Sequence, residues 1–233
     1  MDARIVHNEI FNNHCYDIEK FSDQPFMIDV GANIGLFSMY MKRKYPGAKI
    51  LAFEPAPVTY GILQRNLELN NATAVQAYQC ALGAEDATGT LSFYPIVPAM
   101  STFVPEENDI MRKTILTNFQ SPEVIDNMFS SVEKIEVPIR RLSDFLKAET
   151  SPDIDLLKID VEARELEVCK GIDDEHWSRI RNVVVEIFDV NNALVNMMDF
   201  LKSKGFTVKG ELAIKGQDDP ASPKLFNVVG QRA

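Results

Sequence analysis

The sequence predicts an α/β fold in which a parallel sheet is covered by helices on both faces. Three observations predict it. Short apolar runs at 26–30, 49–53, 154–159 and 182–188 alternate with segments whose apolar residues recur at helical spacing. The first run ends in a glycine-containing turn, Asp29-Val-Gly-Ala-Asn-Ile-Gly35, which leads straight into a helical pattern over 34–44. The second run ends in an acidic residue, Glu54.

The remaining elements follow in order. Pro55 and Pro57 break the chain after the second strand, and a helix is expected over 58–70, where Ile62, Leu63, Leu67 and Leu69 carry the pattern. Strands are expected at 73–79 and 89–94, flanking a turn-rich segment at 83–88. A helix over 162–171 is stopped by Gly171, the β-branched strand at 182–188 is followed by a helix over 191–204, and strands at 206–209 and 225–229 close the sheet around a polar loop at 215–223. Pro95, Pro98, Pro105 and Pro122 interrupt the rhythm over 95–132, which reads as a cap at the strand ends, where open α/β sheets shape their substrate sites. Residues 1–24 read as a short helix and an arm before the first strand, and residues 1–233 as one domain.

Composition narrows the classes of function. With 45% hydrophobic and 25% charged residues and no apolar run long enough to span a bilayer, the expectation is a soluble, cytoplasmic protein with no membrane partner. A net charge of −10 argues against nucleic acid as the partner, because phosphate backbones need clustered Lys and Arg. Cys15, Cys80 and Cys169 are odd in number and widely spaced, so they read as reduced thiols and not as a disulfide framework or zinc site.

The turn at 29–35 suits a nucleotide or nucleoside. A strand ending in Asp-x-Gly-x-x-x-Gly aims backbone amides and a helix N-terminus at a ligand, and glycine allows close approach. The spacing differs from Gly-x-Gly-x-x-Gly, and there is no Gly-Lys-Ser or Gly-Lys-Thr phosphate loop. Glu54, one strand later, is placed to accept hydrogen bonds from both ribose hydroxyls, against the plainer reading of a solvated strand end. Lys158, Asp160 and Glu162 occupy alternating positions where the fourth core strand ends, and Glu186 and Asp189 end the next one. Up to four carboxylates therefore converge on one crevice, or else pair with Lys158, Arg164 and Arg181.

With these pieces in place the sequence resembles the FkbM family of methyltransferases. The matching segments are IDVGANIGLFS at 28–38, AFEP at 52–55, CALG at 80–83, MST at 100–102, LLKIDVEARELEVCKGI at 156–172 and VVVEIFD at 183–189. Within the family, MSTF, DEHWSRIRNVVVEI and the terminal LFNVV look closest to O-methyltransferase domains of modular polyketide and mixed nonribosomal peptide synthases. The resemblance implies a class I, Rossmann-like methyltransferase fold with a mostly parallel seven-stranded sheet. It also implies S-adenosyl-L-methionine (SAM) as cofactor and, as acceptor, a hydroxyl on a small molecule or on an acyl chain tethered to a carrier protein. Flanking synthase domains are partners of the same implication, and a free-standing chain fits equally.

On that basis Asp29, Gly31, Asn33, Gly35, Glu54 and Asp160 are expected to hold SAM. The resemblance adds Tyr16 from the arm, which otherwise only anchors the arm, and Cys80, Ala81 and Leu82 beside the adenine. Two departures stand out. Ala163 replaces a usual glycine, and Phe188 stands where synthase-type relatives carry a histidine suited to take the hydroxyl proton. Glu186, Glu162 and His14 are then the candidate proton acceptors, with Phe188, Asp189, Ser101 and Thr102 facing the acceptor, although the last two serve equally as helix caps. His7 and His176 are expected at the surface. An amine acceptor and a catalytically silent SAM- or acyl-binding module remain rival readings. Asp160, Glu186 and Asp189 offer oxygen ligands, but with no histidine among them no metal is expected.

Overall fold

In the computed structural model the apolar runs dock side by side. It describes residues 3–18, 20–106, 109–110, 121–149, 151, 153–213 and 223–232. The strands in chain order are β1 (Phe26–Val30), β2 (Lys49–Phe53), β3 (Val75–Tyr78), β4 (Ala81–Leu82), β5 (Ala87–Phe93), β6 (Glu133–Arg140), β7 (Leu156–Ile159), β8 (Asn182–Phe188), β9 (Thr207–Leu212) and β10 (Leu225–Gln231). The described helices are α1 (Ala3–His7), α2 (Leu36–Lys44), α3 (Pro57–Leu69), α4 (Pro122–Met128), α5 (Leu142–Leu146), α6 (Glu165–Lys170), α7 (Asp174–Trp177) and α8 (Ala193–Ser203), with a π-helical turn at Asn8–Asn12.

A seven-stranded sheet runs in the order β3-β2-β1-β7-β8-β10-β9. Its first five strands are parallel, and β10 is antiparallel to both of its neighbours. The chain winds outward from β1 to β3 and then returns to lay β7 against the free side of β1. That reversal opens a crevice at the carboxyl ends of β1 and β7, where open α/β sheets bind ligands. Alternation along β1 divides the core. Phe26, Ile28 and Val30 pack with Leu157, Ile159, Val183, Val185 and Trp177, whereas Met27 meets Phe37, Met41 and the arm residues Ile10 and Tyr16. The arm is thus part of the core on the α2 face.

Two features differ from the expectation. The segment Glu133–Arg140 is a strand that pairs antiparallel with β5 and parallel with β4 in a second, three-stranded sheet, β4-β6-β5. Its alternation of Ile135, Val137 and Ile139 with Lys134, Glu136 and Pro138 marks a half-exposed strand, and Pro138 weakens that signal because it donates no ladder hydrogen bond. The helix expected from residue 162 begins instead at Glu165, because Glu162 and Ala163 have φ of +55° and +82°. Of the cap region, residues 107–108 and 111–120 lie outside the described residues, as do 214–222 of the polar loop before β10. No helix among the described residues is long and apolar enough to cross a membrane.

Ala163 therefore carries a Cβ in the left-handed region, which costs an L-residue about 1–2 kcal/mol. Glycine removes that strain but adds about 0.4–1 kcal/mol of unfolded-state entropy. An Ala163→Gly variant should accordingly be more stable by about 0.5–1 kcal/mol, seen as a higher urea midpoint at unchanged slope. A lower midpoint would show that the loop does not hold this conformation.

Candidate active site

The loop after β1 is a chain of left-handed turns, with φ of +76° at Gly31, +50° at Asn33 and +88° at Gly35. The amides of Gly31 and Ala32 both donate to the Phe53 carbonyl, at 3.0 and 2.9 Å, which ties the loop to the end of β2. A Cβ on Gly31 would lie 1.8 Å from the Asp160 carbonyl oxygen, and one on Gly35 would lie 2.6 Å from Leu63 Cδ1. Gly31 is thus demanded by the backbone packing on itself and Gly35 by its left-handed φ, independently of any ligand's approach.

Lys158 stands behind this loop, 4% exposed. Its ammonium donates to the carbonyls of Gly31 at 2.7 Å and Val30 at 3.3 Å. It also lies 3.2 Å from Asp29 Oδ1 and 3.6 Å from Asp160 Oδ2. Burial opposes its charge, yet the two carboxylates outweigh burial and its pKa is raised. Asp29 has no exposed surface, and its other oxygen accepts a hydrogen bond from Ser38 Oγ at 2.8 Å. Asp29 therefore joins α2 to Lys158 from beneath the loop and presents no atom to the crevice; it is a positioning residue.

Glu54 is also nearly buried, and its oxygens accept hydrogen bonds from the Asn33 amide at 3.0 Å and the Ala56 amide at 2.9 Å. These bonds aim the carboxylate across the start of α3, and each oxygen retains a lone pair. Burial pushes the Glu54 carboxyl up to about 7, against the lowering effect of the two amides and Lys158.

Asp160 keeps 31% of its side chain exposed and forms the rim of the crevice. Glu162 and Glu186 are pushed well above the usual carboxylate range, first by burial and then by the charge of Asp160. Glu165 is raised to about 7 by burial, and its Oε1 accepts the Ala163 amide at 3.0 Å. The arm brings further groups. Burial and then Asp160 raise Glu9, the same two causes lead for the buried phenol of Tyr16, and Cys15 is raised to about 12 by burial, Glu9, Glu186 and Asp160. Residue 9 gives no sign in the sequence, since only a folded arm brings it to the sheet edge. The π-helical turn at Asn8–Asn12 that carries it is the kind of irregularity often found at functional sites. His14 lies on the same arm with its Nδ1 2.8 Å from the Tyr40 hydroxyl.

Other expected site residues have their polar atoms engaged elsewhere. Thr102 is fully buried, donates from Oγ1 to the Glu162 carbonyl at 2.6 Å and accepts from the Val104 amide at 3.0 Å, so it clamps the Glu162 turn. Ser101 Oγ accepts the Tyr94 amide at 3.2 Å, and Asp189 Oδ1 accepts the Leu194 amide at 3.0 Å in the first turn of α8. Cys80 and Leu82 are buried in the main core with Phe53 and Leu142, and Ala81 between them is buried in β4. Phe188 shares a face of β8 with Glu186 and packs on a cap cluster of Tyr94, Val97, Met100, Ile125 and Phe129. His176, expected at the surface, is 4% exposed and bonded through Nδ1 to Ser143 Oγ at 2.8 Å.

The model of the methyltransferase FkbM domain matches residues 29–208, which span the loop, Glu54 and the carboxylate-bearing ends of β7 and β8. The chain belongs to the FkbM methyltransferase family. Methyltransferase sdnD of Sordaria araneosa is 46% identical over 222 residues, covering 91% of this chain and 85% of that protein. The 31-O-demethyl-FK506 methyltransferase FkbM of Streptomyces tacrolimicus is 36% identical over 242 residues, 99% of this chain and 90% of its own length. A segment of the AMB antimetabolite synthetase AmbE of Pseudomonas aeruginosa is 28% identical and covers 93% of this chain but 11% of that protein. Among solved structures, FkbM from Methylobacillus flagellatus aligns with a TM-score of 0.61 at 13% identity over 95% of this chain and 47% of that one. TrmK of M. capricolum, solved with S-adenosyl-homocysteine, aligns at 0.52 and 11% identity over 94% of this chain and 66% of its own. These two alignments show the class I methyltransferase fold.

Proposed function

We propose that this family member transfers a methyl group from SAM to a hydroxyl of a small-molecule or carrier-tethered acyl acceptor in natural-product biosynthesis. The observation that carries the reading is the pairing of Glu54 with the Asn33 amide across the β1 loop. It holds a carboxylate with free lone pairs beside a turn of left-handed residues, an arrangement suited to the ribose of a nucleoside. The crevice also suits the cationic end of SAM, because Asp160, Glu162 and Glu186 gather there with Lys158 as the buried cation.

SAM, when bound, supplies an electrophilic methyl group on a sulfonium. Residues 31–35 would offer main-chain atoms to it, Glu54 would accept the ribose hydroxyls and Asp160 would face its charged end. Tyr16, packed at 5.0 Å against Phe37, would close the site from the arm side. Cys80, Ala81 and Leu82 would offer backbone to the adenine. The protein's own task is alignment and the removal of a proton. Phe188 cannot take a proton, so that role falls to Glu186 or Glu162, whose carboxylates are made more basic by burial and Asp160, or to His14 on the arm. The oxygen acceptor is supported by the FkbM relative, whose name places its methyl group on the 31-oxygen. The absence of histidine at Phe188 favours a second reading, transfer to an amine, whose neutral form needs no base to expose a lone pair.

Incubation with methyl-labelled SAM and a panel of hydroxy- and amino-acyl acceptors, free and carrier-bound, tests the reading. Label on a hydroxy-acyl acceptor is expected, lost in Glu186→Gln or Glu162→Gln. Label on amines alone would replace the first reading with the second. SAM binding without turnover on any acceptor would mark a silent module.

A further inference from the structure

The terminal segment Leu225-Phe-Asn-Val-Val229 lies beyond residues 29–208, where the family model matches. It opens β10, which pairs antiparallel with β8 so that Asn227 stands opposite Glu186, Leu225 opposite Phe188 and Val229 opposite Val184. Partners across an antiparallel ladder project from the same face of the sheet, with Cβ atoms about 4.5–5.5 Å apart. The flanking rows identify that face. Phe188 and Leu225 belong with the cap cluster around Met100 and Phe129, whereas Val184 and Val229 belong with the arm cluster around Ile10 and Tyr16. Val185 and Val228 point the other way, into the main core with Met197 and Leu201 of α8. Glu186 and Asn227 therefore form a polar row between two apolar ones, at the seam between cap and arm. Both keep part of their surface, and neither side chain makes a hydrogen bond among the described residues. On β9 the exposed Glu211 stands opposite Asn227, so the row continues to the edge of the sheet.

We propose that Asn227 binds the methyl acceptor, its amide donating a hydrogen bond to a carbonyl oxygen that neighbours the reacting hydroxyl, while Glu186 takes that hydroxyl's proton. The assignment rests on the proposed transfer to a hydroxyl. A carboxylate only accepts hydrogen bonds, so a hydroxyl is its partner, whereas the asparagine amide offers two N–H donors to a carbonyl. Side chains that stand directly opposite each other can engage two oxygens separated by a short carbon spacer, as in a β-hydroxyacyl group. The apolar rows on either side suit the hydrocarbon of such a chain. In the transfer, the acceptor oxygen bonds to the methyl carbon as the carbon–sulfur bond breaks; the bonding pair leaves with sulfur, and the hydroxyl proton goes to Glu186.

The test compares a β-hydroxyacyl thioester with the secondary alcohol of the same chain length. Binding to the full chain is measured by calorimetry with S-adenosyl-homocysteine present, and initial rates are measured with SAM. The wild-type chain is expected to favour the thioester by about tenfold or more, as a site built to hydrogen-bond an oxygen rejects the analogue that lacks it. Asn227→Ala should lose that preference through a higher acceptor KM, with kcat little changed and with SAM affinity and thermal midpoint at wild-type values. Asn227→Ser keeps a donor and should recover part of the preference. No preference in the wild-type chain, a preference intact in Asn227→Ala, or an equal loss of SAM affinity in that variant would overturn the assignment. Thioester binding that depends on Asn227 without methyl transfer would sink the proposed activity and leave the site standing; methyl transfer unchanged in Asn227→Ala would do the reverse.

Discussion

Replacing Lys158 with methionine is expected to cost about 3–5 kcal/mol of stability, the range for removing one partner of a buried ion pair. The reason is geometric. Asp29 has no exposed surface, so loss of the ammonium at 3.2 Å leaves its carboxylate buried with Ser38 as its remaining hydrogen-bond donor. The Gly31 carbonyl loses the ammonium at 2.7 Å in the same step, while the Val30 carbonyl keeps the Asp160 amide at 3.1 Å. Urea unfolding measures the loss. The double variant Lys158→Met with Asp29→Asn should recover a large share of it, because the charge that methionine strands is then absent. A single-variant cost below about 1 kcal/mol would mean that Lys158 is not the brace of the β1 loop.

Glu54→Ala is expected to weaken SAM binding by about 1–3 kcal/mol, the worth of charge-assisted hydrogen bonds to the ribose. Truncation also frees the Asn33 and Ala56 amides, so the loop loses the carboxylate that aims it. Glu54→Gln keeps the shape and should fall between wild type and alanine. The raised pKa adds a test by pH. Because the carboxyl is held up to about 7 and the carboxylate is the better acceptor, SAM affinity should climb as pH rises toward 7 and level off above it, by about tenfold between pH 6 and 8. Stability of the ligand-free chain runs the other way. The folded state holds the Glu54 and Glu165 protons that the unfolded state releases near the ordinary value of 4.5, so stability declines as pH rises from about 4.5 to 7. Equal SAM affinity in folded Glu54→Ala, or affinity flat across this range, would remove Glu54 from the site.

The parallel strands are legible in the sequence because both of their faces are buried, and a near-continuous apolar run such as Val183-Val-Val185 suits a central strand of a covered sheet. Strand β6 is not legible, since it is half-exposed and contains Pro138, and its partner β5 lies forty residues or more upstream in the chain. Asp29 illustrates what a motif leaves open. The sequence places it at a ligand loop, while the fold turns its carboxylate inward to Lys158 and Ser38. Thr102 and Asp189 follow the same pattern, each giving its side chain to a backbone group that spacing alone does not identify. Glu9 is the converse case. Nothing around it in the chain is distinctive, and its place beside Asp160 depends on the arm packing through Ile10 and Tyr16. At Ala163 the departure from the family's glycine is visible in the sequence, but its cost appears only with the left-handed φ.

The proposed methyl transfer requires SAM to occupy the crevice between β1 and β7. Isothermal titration of the full chain with SAM at pH 8 tests it most directly. One molecule bound per chain, competed by S-adenosyl-homocysteine and weakened in Glu54→Ala, is the predicted result; no heat of binding from a folded chain, or binding indifferent to Glu54, would contradict it.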